Sequence, residues 1–340
     1  MRVLVTGGMG YIGRILVPDL VKLGYTVSVI DRKFLSYDDV ETEFGELGIN
    51  VKIDDIRYCE PTELRGFDAI VDLAALSNDP SGDLNPMKTW DINYLGRVRI
   101  ARLAKKQGAT RYIVASSCSI YGFREEVANE NTPPNPLTVY AEANQAVEKD
   151  NLFLADNNFS PTALRFATAF GYSKRLRLDI AINAMVYNAI TTKKIKLMRD
   201  GEQYRPFIHV KDMSEAIIRG LEADSDVISG QIFNAGSNQL NVKLKEIAEM
   251  VRGSVDGTEI EWYGDPDKRS YRVDFKKISK ALKFTPKYDI KYGIDEMIKE
   301  FNSKDFKYHD EMITLSVYRK LIEIEGFLSK HAYKERKIGL

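Results

Sequence analysis

The first half of the chain alternates short apolar runs with longer amphipathic stretches. Arg2–Thr6, Thr26–Asp31, Ala69–Leu73 and Tyr112–Ser116 are brief and rich in Val and Ile, the pattern of strands buried on both faces. Asn50–Ile53 and Thr162–Phe166 add two more. Tyr11–Leu23, Asp91–Gln107 and Tyr140–Asn157 repeat their apolar positions at helical spacing. Strands alternating with helices predict an α/β fold with a parallel sheet covered on both faces. After about residue 170 the pattern loosens into Arg/Lys-rich loops. A helix is predicted near 179–192, short strands near 195–199 and 206–210, and helices near 211–223, 243–252 and 274–282. The stretch from about 303 to 340 is charged and helical in pattern, suited to a surface helix or an oligomer arm.

Composition narrows the function classes. A chain of 340 residues can bury a large core, as one big domain or two modest ones. Lys+Arg and Asp+Glu both number 49, so no overall positive charge favours nucleic acid, although a local anion pocket is allowed. Two cysteines, Cys59 and Cys118, make no disulfide framework and no metal motif, and three histidines make no ligand cluster, so no metal is expected. No apolar stretch is long enough to span a bilayer, and the opening residues carry no leader pattern. The expectation is a cytoplasmic protein with neither a membrane nor a nucleic-acid partner.

One local motif carries chemistry. Gly7, Gly10 and Gly13 follow a predicted strand and open a predicted helix. Glycines at this spacing let the chain turn sharply, let backbone approach a pyrophosphate and let helix pack on strand, while the helix N-terminus offers N–H groups to the phosphates. Tyr11 and Ile12 lie inside the turn. Asp31 ends the next strand, 18 residues beyond Gly13, where a carboxylate binds adenosine ribose hydroxyls. Asp31 favours NAD, whereas the neighbouring Arg32 could accommodate the extra phosphate of NADP. Asp55 follows the third strand, as an acceptor for the adenine amino group or as a helix N-cap.

With these residues, the chain resembles the extended short-chain dehydrogenase/reductase family of nucleotide-sugar epimerases and dehydratases. The likeness covers roughly residues 1–300. It rests on Thr6–Gly13, Asp55-Ile56-Arg57, Leu73-Ala74-Ala75, Asn93, Ser116–Gly122, Tyr140, Arg205–Asp212 and Arg269 in this order. The resemblance implies a doubly wound Rossmann domain at 1–170, a smaller and mainly substrate-binding domain at 171–300, and a helical C-terminal extension at 301–340. It implies NAD, a nucleoside-diphosphate sugar and a homodimer whose helices pair across a two-fold axis. Ile56, Leu73, Ala74, Ala75, Asn93 and Phe166 would join the cofactor site. Ser77, Cys118, Ser119, Thr168, Arg177, Arg205 and Arg269 would face the substrate, with Arg205 and Arg269 clamping its pyrophosphate. Tyr140 would exchange a proton with a sugar hydroxyl as hydride passes at a sugar carbon, commonly C4, and Ser117 would hold the sugar oxygen. Cys118 and Ser119 stand where dehydratases carry an Asp-Glu pair, which disfavours 4,6-dehydration.

One departure matters. The family pattern is Tyr-x-x-x-Lys, and this chain has Asn144 four residues after Tyr140. An ordinary tyrosine has a pKa of about 10, so little of it is phenolate at pH 7. Asn144 can bond the cofactor's ribose hydroxyls but supplies no charge, and Lys149 lies on another helix face. Tyr140 then works as a slower base assisted by NAD⁺, or another group moves the proton, or the site binds without turnover. Epimerase and dehydrogenase chemistry both fit. The alternatives are a degenerate NAD-binding regulatory protein and a reductase of a ketone not attached to a nucleotide.

Overall fold

The computed structural model describes residues 1–265 and 270–331. Seven parallel strands form its central sheet: β1 (Arg2–Thr6), β2 (Thr26–Asp31), β3 (Asn50–Ile53), β4 (Ala69–Asp72), β5 (Arg111–Ser117), β6 (Ser160–Phe166) and β7 (Gln231–Ala235). Their spatial order is β7-β6-β5-β4-β1-β2-β3, with all neighbours parallel. This is the doubly wound Rossmann arrangement, whose order reverses beside β1 and opens a crevice at the strands' carboxyl ends. Alternate residues of the strands feed opposite faces. Val3, Val5 and Val71 join one apolar cluster, and Leu4, Ile70 and Tyr112 join another.

β7 is the main element absent from the sequence reading. It returns to the sheet from well beyond residue 170, pairing Gln231–Ala235 with Thr162–Phe166. The sheet-bearing unit is therefore discontinuous in sequence. Gln231 and Asn234 gave this strand too polar a pattern to stand out. A third apolar cluster, including Phe170, Ile182, Phe207, Ile247 and Ile294, belongs to the second half of the chain.

Two helices position the site. The predicted Asp91–Gln107 helix begins earlier, as Pro86–Thr89, widens into a π-helical stretch at Trp90–Gly96 and continues as Arg97–Lys106. The Tyr140 helix runs Val139–Leu152, and Thr138 starts it by accepting a hydrogen bond from the Ala141 amide at 3.2 Å. The C-terminal stretch contains an 18-residue helix, Thr314–His331. No helix among the described residues is long and apolar enough to cross a membrane.

Candidate active site

The site is built at the carboxyl ends of β1, β4 and β5. Gly7 turns the chain out of β1 at φ +70°, and a Cβ there would sit 2.8 Å from the Ala74 amide nitrogen. A Cβ on Gly13 would lie 2.2 Å from the Gly8 carbonyl oxygen, so only glycine lets the helix Gly13–Lys22 start this close to the turn. The loop Leu73–Ala75 lies against this turn. Asp31 ends β2 with its carboxylate accepting from the Met9 and Lys33 amides at 2.9 and 2.8 Å, and burial pushes its carboxyl pKa up. The bare backbone of the turn, the open helix end and an acid at the tip of β2 together fit a dinucleotide.

One cavity of about 520 Å³ brings most of the sequence-predicted residues together. Gly7, Gly10, Tyr11, Ile12, Gly13, Asp31, Arg32, Asp55, Ile56, Leu73, Ala74, Ala75 and Phe166 line it, as do Ser77, Ser117, Ser119, Tyr140, Thr168, Arg177 and Arg205. Asp55 is gripped by Arg57, whose Nε and Nη2 donate to it at 3.0 and 2.8 Å, while Arg32 lies 3.5 Å away. Burial raises the Asp55 pKa, but these cations outweigh it and hold the carboxyl below the usual range. Arg205 stacks over Tyr271 at 5.4 Å.

Tyr140 and Ser117 face this cavity from helix Val139–Leu152 and the end of β5. The short helix Asp79–Asp83 crosses Tyr140 so closely that a Cβ on Gly82 would lie 2.8 Å from the Tyr140 Cβ. Thr138 Oγ1 donates to Asp79 at 2.7 Å and ties the two segments together. Burial pushes the Tyr140 phenol pKa up and Asp79 adds to that, while Arg97, Asn144 and Ser117 act in the opposite direction.

Several expected residues are placed differently. Cys118 is fully buried, and its thiol donates to the Arg165 carbonyl at 3.1 Å, because the chain turns inward as β5 ends. Asn93 does not line the cavity. Its carboxamide accepts from the Leu76 amide at 2.8 Å and donates to the Leu76 carbonyl at 3.0 Å, so it shapes the loop after β4. Asn144 is buried, donating to the Tyr140 carbonyl at 3.0 Å and accepting from Arg97 Nη1 at 3.2 Å. Arg177 reaches the cavity wall on the side of Tyr11, with its fork closed on Asp179 at 2.9 and 2.9 Å and a third bond to Ser77. Arg269 lies outside the described residues.

Arg97 is the residue the sequence did not reveal. Its side chain is 1% exposed and sits directly beneath Asn144. Nε donates to the Asp72 carboxylate at 2.9 Å, and Nη2 donates to the carbonyls of Asp72 and Ala115 at 3.2 and 2.6 Å. Thr6 and Tyr112 also donate to Asp72, at 2.7 and 2.6 Å. The arrangement puts the guanidinium between the sheet and the helix Val139–Leu152, with its positive end toward Asn144. A second buried pair, Arg165–Glu148 at 2.7 Å, fastens the same helix further along. An acid ending β4 opposite an arginine four residues after Asn93 was the available signal, but an arginine within a helix ordinarily reads as solvent-facing.

Residues 3–236 match the model of the NAD dependent epimerase/dehydratase family. Among curated relatives, UDP-glucuronic acid decarboxylase 1 of Arabidopsis thaliana is 29% identical, with 89% of this chain and 70% of that protein covered. UDP-glucose 4-epimerase 1 of Oryza sativa subsp. japonica is 26% identical, covering 88% and 92%. Among solved structures, MoeE5 in complex with UDP-glucuronic acid and NAD superposes with a TM-score of 0.78 at 27% identity, covering 88% of this chain and 98% of that one. The chain belongs to the NAD dependent epimerase/dehydratase family and is an NAD-dependent enzyme of the group whose members named above are nucleotide-sugar decarboxylases and epimerases.

Proposed function

We propose that this enzyme oxidises a nucleoside-diphosphate sugar at C4, with Tyr140 as the proton acceptor. The observation that carries the reading is the convergence of the glycine turn, Ser117, Tyr140 and Arg205 on one cavity. NAD, held by Gly7–Gly13, Asp31 and Leu73–Ala75, supplies the two-electron acceptor when bound. Ser117 holds the sugar oxygen, and Tyr140 takes the hydroxyl proton from it. Arg205, which lines the same cavity, carries a planar fork suited to the substrate diphosphate. UDP-linked sugars are the first substrates to test, since MoeE5 binds UDP-glucuronic acid.

The cation beside this tyrosine is Arg97, acting through Asn144, in place of the lysine at position 144. Its charge favours the phenolate from behind the tyrosine, while the Asp72 pair keeps it in position. Tyr140→Phe removes the transferable proton at almost unchanged volume. Its turnover of UDP-glucose or UDP-glucuronic acid falls by roughly 10²–10⁴-fold while NAD still binds. Unchanged turnover removes Tyr140 from the mechanism, and a panel of UDP-, GDP-, CDP- and dTDP-sugars followed by product NMR separates epimer from released ketosugar.

A cytoplasmic homodimer completes the reading. Met87, Leu95 and Phe153 are 83%, 57% and 90% exposed on or beside the helices Pro86–Lys106 and Val139–Leu152. Large apolar side chains standing out from neighbouring helices suit an isologous helix-pair interface.

A further inference from the structure

The cavity holds a cation that the chemistry above leaves unused. Arg175 is 3% exposed and lines the cavity. Nη1 donates to the Leu176 carbonyl at 3.1 Å, and Nη2 donates to the Glu311 carbonyl at 3.2 Å and to Thr314 Oγ1 at 2.8 Å. Nε is buried without a partner, and among the described residues no carboxylate lies within ion-pair distance of the guanidinium, the nearby Asp179 being paired with Arg177. Arg177, two residues on, is closed on Asp179. Burial and the neighbouring Arg177 together pull the Arg175 pKa down to about 10, the mark of a guanidinium with too little negative charge around it. A buried cation of this kind is costly unless an anion meets it.

Its place says which anion. Ser173, in the same loop, donates to the Tyr11 carbonyl at 2.8 Å, so the loop is fastened to the glycine turn. Arg175 also acts electrostatically on Asp31. It belongs to the side of the cavity that holds the glycine turn and Asp31.

The lid over Arg175 comes from the C-terminal stretch. Thr314 and Tyr318 line the cavity with it. The Leu178 amide donates to the Met312 carbonyl at 2.7 Å, His309 stacks on Tyr37 at 4.6 Å, and Lys88 pairs with Glu325 at 2.7 Å. The stretch from His309 to Glu325 is thus fastened at successive points across one side of the cofactor channel.

We propose that Arg175 is an anion site for the cofactor's pyrophosphate, and that the segment His309–Glu325 is a strap that closes over it and retains NAD between turnovers. The proposal rests on NAD binding and not on the sugar chemistry at Tyr140, so either can fail without the other. A diphosphate also occurs in the substrate, and the test separates the two sources.

The test uses the full chain with Arg175→Met and Tyr318→Ala. NAD affinity is read by titration calorimetry, NAD release by stopped-flow displacement, and melting temperature with and without NAD. Arg175→Met is expected to weaken NAD at least tenfold and to leave the KM for the nucleotide sugar unchanged at saturating NAD. It is also expected to raise the melting temperature of the cofactor-free protein while shrinking the increase NAD produces, because the buried charge is gone. A merely structural arginine would lower the melting temperature of the cofactor-free protein. Tyr318→Ala is expected to speed NAD release severalfold, and hydrogen exchange over His309–Glu325 is expected to slow when NAD is added. A raised KM for the sugar with unchanged NAD affinity would assign the anion to the substrate and overturn the proposal. Unchanged NAD release and exchange would overturn the strap.

Discussion

Arg97→Met tests the link between the buried ion pair and the tyrosine. Methionine keeps much of the side-chain length and deletes the charge and the four side-chain hydrogen bonds described above. Arg97 and Asp72 have side chains 1% and 0% exposed, so the variant leaves a carboxylate in the interior with only Thr6 and Tyr112 as donors. Breaking such a pair from one side costs about 3–5 kcal/mol. Replacing both partners removes the stranded charge, so Asp72→Asn with Arg97→Met should recover about 2 kcal/mol or more of that loss, a coupling within the range for contacting residues. Urea unfolding midpoints give both values, and the double variant then serves for kinetics. Burial raises the Tyr140 pKa and Arg97 opposes that rise, so removing Arg97 displaces the rising limb of the kcat/KM–pH profile toward higher pH, with activity approaching that of the parent only in alkaline solution. Additive stability losses would refute the buried coupling. A limb that stays in place would show that Tyr140 does not sense Arg97.

Three further outcomes follow from the geometry. Gly13→Ala forces a Cβ into the Gly8 carbonyl and should abolish NAD binding in calorimetry, with far-ultraviolet circular dichroism near that of the parent. Burial raises the Glu296 pKa, but hydrogen bonds from His209, Lys211 and the Tyr172 amide outweigh it and bring the value to about 2 from 4.5, so its ionised form stabilises the fold above pH 4.5 and that contribution fades as pH falls toward 2. Glu296→Gln should therefore destabilise the protein to urea at pH 7, with the difference from the parent shrinking below pH 4. Phe153→Glu places a charge on the apolar helix face and should convert a dimer to a monomer in light scattering, whereas a parent protein already monomeric would end the dimer proposal.

What the sequence made legible was local. The glycine spacing describes a few consecutive residues whose geometry is set by the backbone, and the acid at the end of β2 and the order of Ser117 before Tyr140 are fixed points along the chain relative to it. β1, β2, β4, β5 and β6 were visible because both of their faces are largely buried, which leaves apolar runs, whereas β3 is an exposed edge strand. The missing pieces depend on pairings distant in sequence. β7 needs β6 and Arg97 needs Asp72, and neither pair leaves a periodic trace. Asn144 shows the same limit, since nothing in its sequence position announces that its carboxamide bonds Arg97 and the Tyr140 carbonyl.

The return of the chain to form β7 also governs how the protein is made. Until Gln231–Ala235 leaves the ribosome, β6 is an open sheet edge with a row of unpaired backbone groups. At roughly 5–20 residues per second of synthesis, the intervening residues keep that edge bare for several seconds. A nascent chain in this state is open to strand addition from a neighbour, and its sheet is complete only after much of the second half of the protein has been made. Conditions that slow elongation between Phe166 and Gln231 should therefore lower the soluble yield more than the same delay placed after Ala235.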